Sequence, residues 1–235
     1  FKGPHPAGNV GVQIHHLDPI NKGDIVWTIN PQDLLIIGKL FKKGIYDATK
    51  TVVVAGPLIN RPVYHKTISG AQINKLLSLN CDIEKARIIS GNVLTGTNIS
   101  SHGFLCHYDS QITVISEGNK PELFGWALPG FGKLSFSRTF LSWLIPNREY
   151  SVDSNIHGSK RAFVISGEYE KVLPMDIYPV QLLKAIIIKD LDLMEKLGIY
   201  EVIEEDFALC EFVCTSKIDV QAILREGLDY LRKEL

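Results

Sequence analysis

With 235 residues, 45% of them hydrophobic, the chain can bury a substantial core and is expected to be a soluble, folded protein of one large or two small domains. Its 25 basic and 26 acidic residues nearly cancel, and with no Lys/Arg run nucleic acid is excluded as a partner. The apolar runs at 34–37 and 185–188 fall far short of the ~20 residues needed to cross a bilayer, so any membrane connection is expected through a partner; four scattered cysteines without a secretory signal favour a reducing compartment.

The chain starts at Phe1 in a Gly- and Pro-rich loop, GPHPAGNVGVQIHHLDP, and reads as the C-terminal portion of something longer. Residues 9–15 alternate enough to predict a strand closed by Asp18-Pro19, and IVWTI at 25–29 predicts a second, as in the tail of an α/β unit. In NPQDLLIIGKLFKKG, Asn30 can cap a helix with Pro31 at its first position. Leu34, Ile37, Leu40 and Phe41 recur at helical spacing, and Gly44 ends it after two lysines.

From Lys50, TVVVAGPLINRPVYHKTIS reads as two strands joined by a Gly-Pro turn, and Ala71–Leu79 as an amphipathic helix. ARIISGNVLTG, GFLCHY and QITVISEG then give three more short strands. Strand, strand, helix and three strands is the order of a β-grasp module. Residues 119–160 lack a clean period but hold Phe124, Trp126, Phe131, Phe136, Phe140 and Trp143. Packing of an irregular connector is the preferred explanation, and an aromatic docking patch the sharper alternative. Beyond it, Asp176 is placed to cap a helix ahead of Pro179, and VQLLKAIIIKD, DLDLMEKLG and VQAILREGLDYLRKEL carry helix-spaced apolar residues. In the last, Val220, Ile223, Leu224, Leu228 and Leu231 form one stripe, so a small bundle is expected. The fold class is therefore α+β. Residues 1–49 form the end of an α/β domain, 50–118 a β-grasp domain, 119–175 an aromatic-rich connector and 176–235 a helical domain.

Three clusters invite chemistry. Cys210 and Cys214 follow the acidic stretch Glu204, Glu205 and Asp206, which suits a helix start, and share a face with Phe207. A structural zinc or a cubane cluster needs about four protein ligands, and Cys81 and Cys106 belong to no motif, so packing is preferred. His5, His15, His16 and Asp18 are acceptable ligands for zinc or iron. Their spacing matches no metal motif, and adjacent histidines on a strand point to opposite faces. Gly3, Gly8 and Gly11 resemble a phosphate loop only loosely, because the loop is predicted to open a strand rather than a helix. No G-x-S-x-G or H-E-x-x-H occurs, so no catalytic, cofactor-binding or metal residue is assigned.

The segments GPHPAGNVGVQIHHLDPI, VWTINPQDLLIIGKLF, VVAGPLINRP, ARIISGNVLTG, ELFGWALPG, YEKVLPMDIYP and EEDFALCEFVC run the length of the chain. Together and in this order they resemble the NqrA family, the A subunits of the Na+-translocating NADH:quinone reductases. The resemblance implies a peripheral subunit on the cytoplasmic face of the bacterial inner membrane, partnered with other subunits of the pump, especially the membrane subunit that carries quinone and flavin. It further implies the end of an α/β domain, a β-grasp (SLBB) domain and a helical end, as in the NADH-binding subunit of complex I and the C subunit of Rnf complexes. Those relatives hold an iron-sulfur cluster with C-x-x-C-x-x-C plus one more Cys. Here only Cys210 and Cys214 stand in the corresponding stretch, with Thr215 where a third ligand would be sought. The expectation is a docking and assembly subunit without a cofactor of its own, NADH, ubiquinone and flavins belonging to the complex. The alternatives are an iron-sulfur electron-transfer subunit of Rnf type and a free-standing ligand-binding β-grasp module.

Overall fold

The computed structural model describes residues 1–77, 86–118, 122–125, 127–145 and 147–234. The expected helical residues Leu79 and Ser78, together with Cys81 and Trp126, lie outside them. The chain divides into two compact units, one of residues 1–28 and 159–235, the other of residues 29–158.

The second unit is organised by a five-stranded sheet. Its strands are β1 (Thr49–Ala55), β2 (Val63–Ile68), β3 (Ala86–Ser90), β4 (Thr97–Ile99) and β5 (Gln111–Ser116), in the spatial order β2-β1-β5-β3-β4. Only β1 and β5 run parallel; the other pairs are antiparallel. A parallel pair needs a crossover, and the chain between these strands includes the short helix Asn74–Leu77. Alternate residues Val52 and Val54 of β1 and Ile112 and Val114 of β5 are buried with Ile73, Leu77 and Ile88 in one core. Gly56 ends β1 at φ +132, and a Cβ there would overlap the Val114 carbonyl, so this turn requires glycine.

The middle strand of the expected last three is displaced. GFLCHY contributes only an isolated bridge, Gln72 to Phe104, and the strand is Thr97–Ile99. The Leu105 N–H is drawn to the Ala71 carbonyl and its side chain into the core, so local β propensity yields to a tertiary contact.

Helix α1, Val10–Leu17, stands where residues 9–15 predicted a strand. Asn9 sits at its N-cap, and its side-chain amide donates to the Glu205 carbonyl at 3.3 Å. Only Val12 of the alternating Val10, Val12 and Ile14 is buried, so the period of two does not decide the segment. Residues 25–29 form no strand either; they pair with no ladder, and Ile25 and Trp27 are exposed.

Helix α2, Pro31–Lys43, keeps the expected ends, with Asn30 at the N-cap position and Gly44 left-handed at φ 66. It is tethered at its start. Gln32 exchanges two hydrogen bonds with the Thr51 backbone, and Asp33 pairs at 2.9 Å with Lys50, which is 4% exposed and also donates to the His107 carbonyl. None of its residues is buried, and Phe41 is 87% exposed.

Four further helices follow: α3 (Pro179–Ile188), α4 (Leu191–Lys196), α5 (Ala208–Val213) and α6 (Val220–Glu234). Asp176 does not cap α3. Tyr178 occupies that position without a side-chain bond, and the Asp176 N–H instead donates to His15. Asp190 does cap α4, accepting from the Leu193 N–H at 3.1 Å. Val220, Leu224 and Leu231 of α6 face the core, as its stripe predicted. Gly227 lets this helix approach α3 closely, since a Cβ there would lie 2.8 Å from Ile186.

Candidate functional site

The residues singled out from the sequence fall mainly in the unit of residues 1–28 and 159–235. Cys210 lies within α5 and Cys214 just past its end, both buried with Phe207, Met194, Val220 and Leu224. Glu204, Glu205 and Asp206 precede the helix rather than forming its first turn, because the chain enters through Phe207 at the N-cap.

The two thiols share one buried tyrosine. The Tyr169 hydroxyl donates to Cys214 Sγ at 3.0 Å, and the Cys210 thiol donates to the Tyr169 carbonyl at 3.9 Å. Cys214 Sγ also accepts from the Ile218 N–H at 3.4 Å. Burial pushes the Cys210 thiol up to about 12 and the Tyr169 phenol well above its usual range. A thiol held protonated is a poor nucleophile and a poor metal ligand. Cys106 is exposed.

The histidines are equally committed. His15 Nδ1 lies 2.6 Å from Glu201 Oε2, while Nε2 accepts the Asp176 N–H at 3.0 Å, so both ring nitrogens are used. His16 Nε2 meets the Pro174 carbonyl at 2.8 Å. The two rings stand edge to face on α1 with centroids 5.3 Å apart, not on opposite faces of a strand. His5 and Asp18 are exposed. Among the described residues, no three His, Cys, Asp or Glu side chains gather where they could hold a metal ion.

The glycine loop does open a helix, contrary to the strand predicted to follow it. An anion at the start of α1 would nevertheless meet a carboxylate already there: a Cβ on Gly11 would overlap the Asp206 side chain. Asp206 is 1% exposed, with one oxygen accepting the Ile203 N–H at 3.1 Å and the other unpartnered. Burial pushes its carboxyl up to about 6, with Glu205 adding to the effect and the Ile203 N–H and His15 opposing it. In the sequence Asp206 reads only as a helix-start residue. Its burial depends on Gly11, nearly two hundred positions earlier, and no local pattern signals that pairing.

Beside these groups lies a recess of about 320 Å³ whose lining includes Lys22, Glu195, Tyr200 and Glu201. Glu195 Oε1 accepts from Lys22 Nζ at 2.8 Å and from the Tyr200 hydroxyl at 2.6 Å. Lys22 holds the Glu195 carboxyl below its usual range, and Glu195 raises Lys22 in return. Burial, with help from Glu195, raises the Tyr200 phenol. These three groups move away from neutrality, whereas proton transfer favours a group poised near it. The recess is a closed set of mutual hydrogen bonds suited to holding residues 20–22 in place.

The connector leaves most of its apolar side chains uncovered within this chain. Leu123, Phe124, Phe131, Phe136 and Trp143 are exposed, with only Phe140 partly covered among the named aromatics that are described. Within this chain the connector's aromatics are therefore not covered by packing, and both readings of 119–160, packing against a larger body and a docking patch, stand.

Comparison with known proteins fits this architecture. The family profile described as the NqrA second alpha/beta domain matches residues 1–46, and that described as the NQRA C-terminal domain, of SLBB type, matches residues 51–101. The mixed sheet and the second match define an SLBB-domain protein. Along its whole length the chain is 44% identical to the A subunit of Na(+)-translocating NADH-quinone reductase from Rhodopirellula baltica, 42% to that from Vibrio atlanticus and 41% to that from Hahella chejuensis. Both domain profiles and the whole-chain similarity point to the NqrA family, whose named members are A subunits of these sodium-translocating quinone reductases. The chain spans about half the length of the curated relatives it matches, 52% in the first and 53% in the other two.

Proposed function

We propose that the chain acts as a peripheral subunit, on the cytoplasmic face of the membrane, of a complex that couples NADH oxidation and quinone reduction to Na+ export. Its contribution is docking and assembly; the redox cofactors are carried by other subunits, and its main partner is the membrane subunit that holds quinone and flavin. The observation that carries this reading is the 41–44% identity, over every residue of the chain, to proteins named as the A subunit of that reductase. The chemistry of the chain supports it: Cys210, Cys214, His15 and the Lys22–Glu195–Tyr200 set are spent on internal contacts. The exposed apolar residues of α2, including Leu34, Leu35 and Phe41, suit burial against the rest of an alpha/beta domain in a chain of the relatives' length.

Two measurements test the reading. Chemical cross-linking of the intact complex, mapped by mass spectrometry, should join residues 119–160 and 176–235 to other subunits; links confined to the sheet strands would remove the connector from the docking surface. The purified full-length protein should lack broad visible absorbance. Absorbance near ~400 nm with stoichiometric iron would establish a cluster and the Rnf-type alternative.

A further inference from the structure

The connector carries a second property besides its exposed aromatics. Between Leu123 and Arg148 the sequence contains no Asp or Glu, but it contains Lys133, Arg138 and Arg148. The stretch is bounded by Glu122 and Glu149, so the absence of acid coincides with the apolar part.

Its architecture separates an inner from an outer face. Ser142 is buried and donates to the Lys133 carbonyl at 2.6 Å, while the Leu141 N–H donates to the Pro129 carbonyl at 2.9 Å. Gly130, at φ +62, leaves room for the Phe140 ring, over which Lys133 Nζ sits 5.3 Å from the centroid. Lys133 is further spent on Glu122 and the Gly125 carbonyl. The neighbours of Ser142 point out: Leu141, Trp143 (52% exposed) and Leu144 are uncovered, as is Phe136 nearby. Arg138 and Arg148 are exposed, and no carboxylate among the described residues pairs with either. Arg148 reaches back to the Phe131–Gly132 turn, 3.7 Å from where a Gly132 Cβ would be.

Such a surface fits a lipid headgroup layer better than a protein groove. Specific peptide recognition reuses a helix face or a strand edge, and among the described residues of this stretch the only regular element is a four-residue 3-10 turn at Leu141–Leu144. Aromatic and aliphatic side chains emerging from an irregular loop need no matching shape in a fluid interface, where Trp is favoured. Exposed arginines in the same stretch complement anionic headgroups.

We propose that the connector, centred on Phe136–Arg148, is a membrane-surface docking element that inserts its apolar side chains among anionic lipids while Arg138 and Arg148 engage the headgroups. This goes beyond attachment through another subunit, since the contact is with the bilayer itself.

The test uses the full-length protein, purified free of all other pump subunits, and sedimentation with sucrose-loaded vesicles. Lipid contact is thereby read apart from docking on other subunits. The protein should sediment with vesicles containing about one-third phosphatidylglycerol, but not with pure phosphatidylcholine, and high salt should release it. Arg138→Gln with Arg148→Gln should lower the partition coefficient about 25-fold, at about fivefold per arginine. Phe136→Ser with Trp143→Ser should lower it about tenfold or more. All four side chains are exposed, so unchanged circular dichroism and melting should accompany both variants. Three outcomes overturn the proposal: the wild-type protein stays in the supernatant, it binds neutral and anionic vesicles equally, or the double variants bind as the wild type does. Loss of assembly with the other subunits by variants that still bind vesicles would also overturn it, and would assign the surface to a protein partner.

Discussion

Replacing Asp206 with Asn should remove a pH dependence from the stability of the unit formed by residues 1–28 and 159–235. The carboxyl lies against Gly11 in the first turn of α1, 1% exposed, with one oxygen unpartnered. Burial raises it from 3.8 to about 6. A carboxyl whose value is raised by folding binds its proton more tightly in the native state. Between pH 3.8 and about 6 the unfolded chain has released a proton that the folded chain retains, so stability falls as pH rises through this window. Above it the charged carboxylate remains buried, and the accumulated cost is about 3 kcal/mol. Asparagine keeps an oxygen for the Ile203 N–H but carries no charge. Urea unfolding followed by circular dichroism, run from pH 4 to 7.5 on both proteins, isolates this one group from every other titration. The stability of Asp206→Asn relative to wild type should improve by about 2.4 kcal/mol from the acid to the neutral end. Parallel curves across the whole range would refute the reasoning, because they would mean that Asp206 titrates alike in the folded and unfolded states. A companion cycle checks the steric part. Gly11→Ala should cost about 1–3 kcal/mol alone and measurably less in an Asp206→Ala background, where its Cβ has room.

Three other outcomes are expected. Alkylation of the native chain, mapped by mass spectrometry, should modify Cys106 quickly and leave Cys210 and Cys214 untouched until urea unfolds the protein; rapid labelling of Cys210 would contradict a buried, protonated thiol. Gly227→Ala should lower the unfolding midpoint by an amount equivalent to about 1–3 kcal/mol, because its Cβ would press on Ile186 of α3, and a neutral effect would show that the two helices separate freely. Lys50→Met should destabilise the sheet unit by about 2 kcal/mol, since it strips Asp33 and the His107 carbonyl of a buried cation. Asp33 is held below its usual value by Lys50, so it contributes stability above pH 3.8 that is lost as pH falls through its lowered folded value. Lys50→Met should therefore flatten the acid limb, and an unchanged acid limb would show that the pair is unimportant.

Local chemistry was sufficient where an element carried its own start, period and stop. Pro31 and Gly44 delimit α2, the stripe of Val220, Leu224 and Leu231 marks the core face of α6, and β-branched runs mark β1, β3 and β5. The matched segments along the chain likewise made the family legible from residues alone. Local chemistry failed where two periods were compatible with the same letters. Val10, Val12 and Ile14 alternate like a strand, yet the chain turns helical because Asn9 is tied to Glu205 and Val12 has a core to enter. GFLCHY has β propensity, but a strand exists only beside a partner, and the ladder at that edge is taken by Thr97–Ile99. The candidate chemistry was hardest to read for the same reason. His15 meets Glu201 and Asp176, Asp206 meets Gly11, and Cys214 meets Tyr169 across long sequence separations. Composition could supply the aromatics and the acid-free run of the connector, but not which of them would be covered. Only the folded chain decided that Phe140 and Ser142 turn inward while Phe136, Leu141 and Trp143 stay in solvent, because burial depends on what another part of the chain places against each side chain.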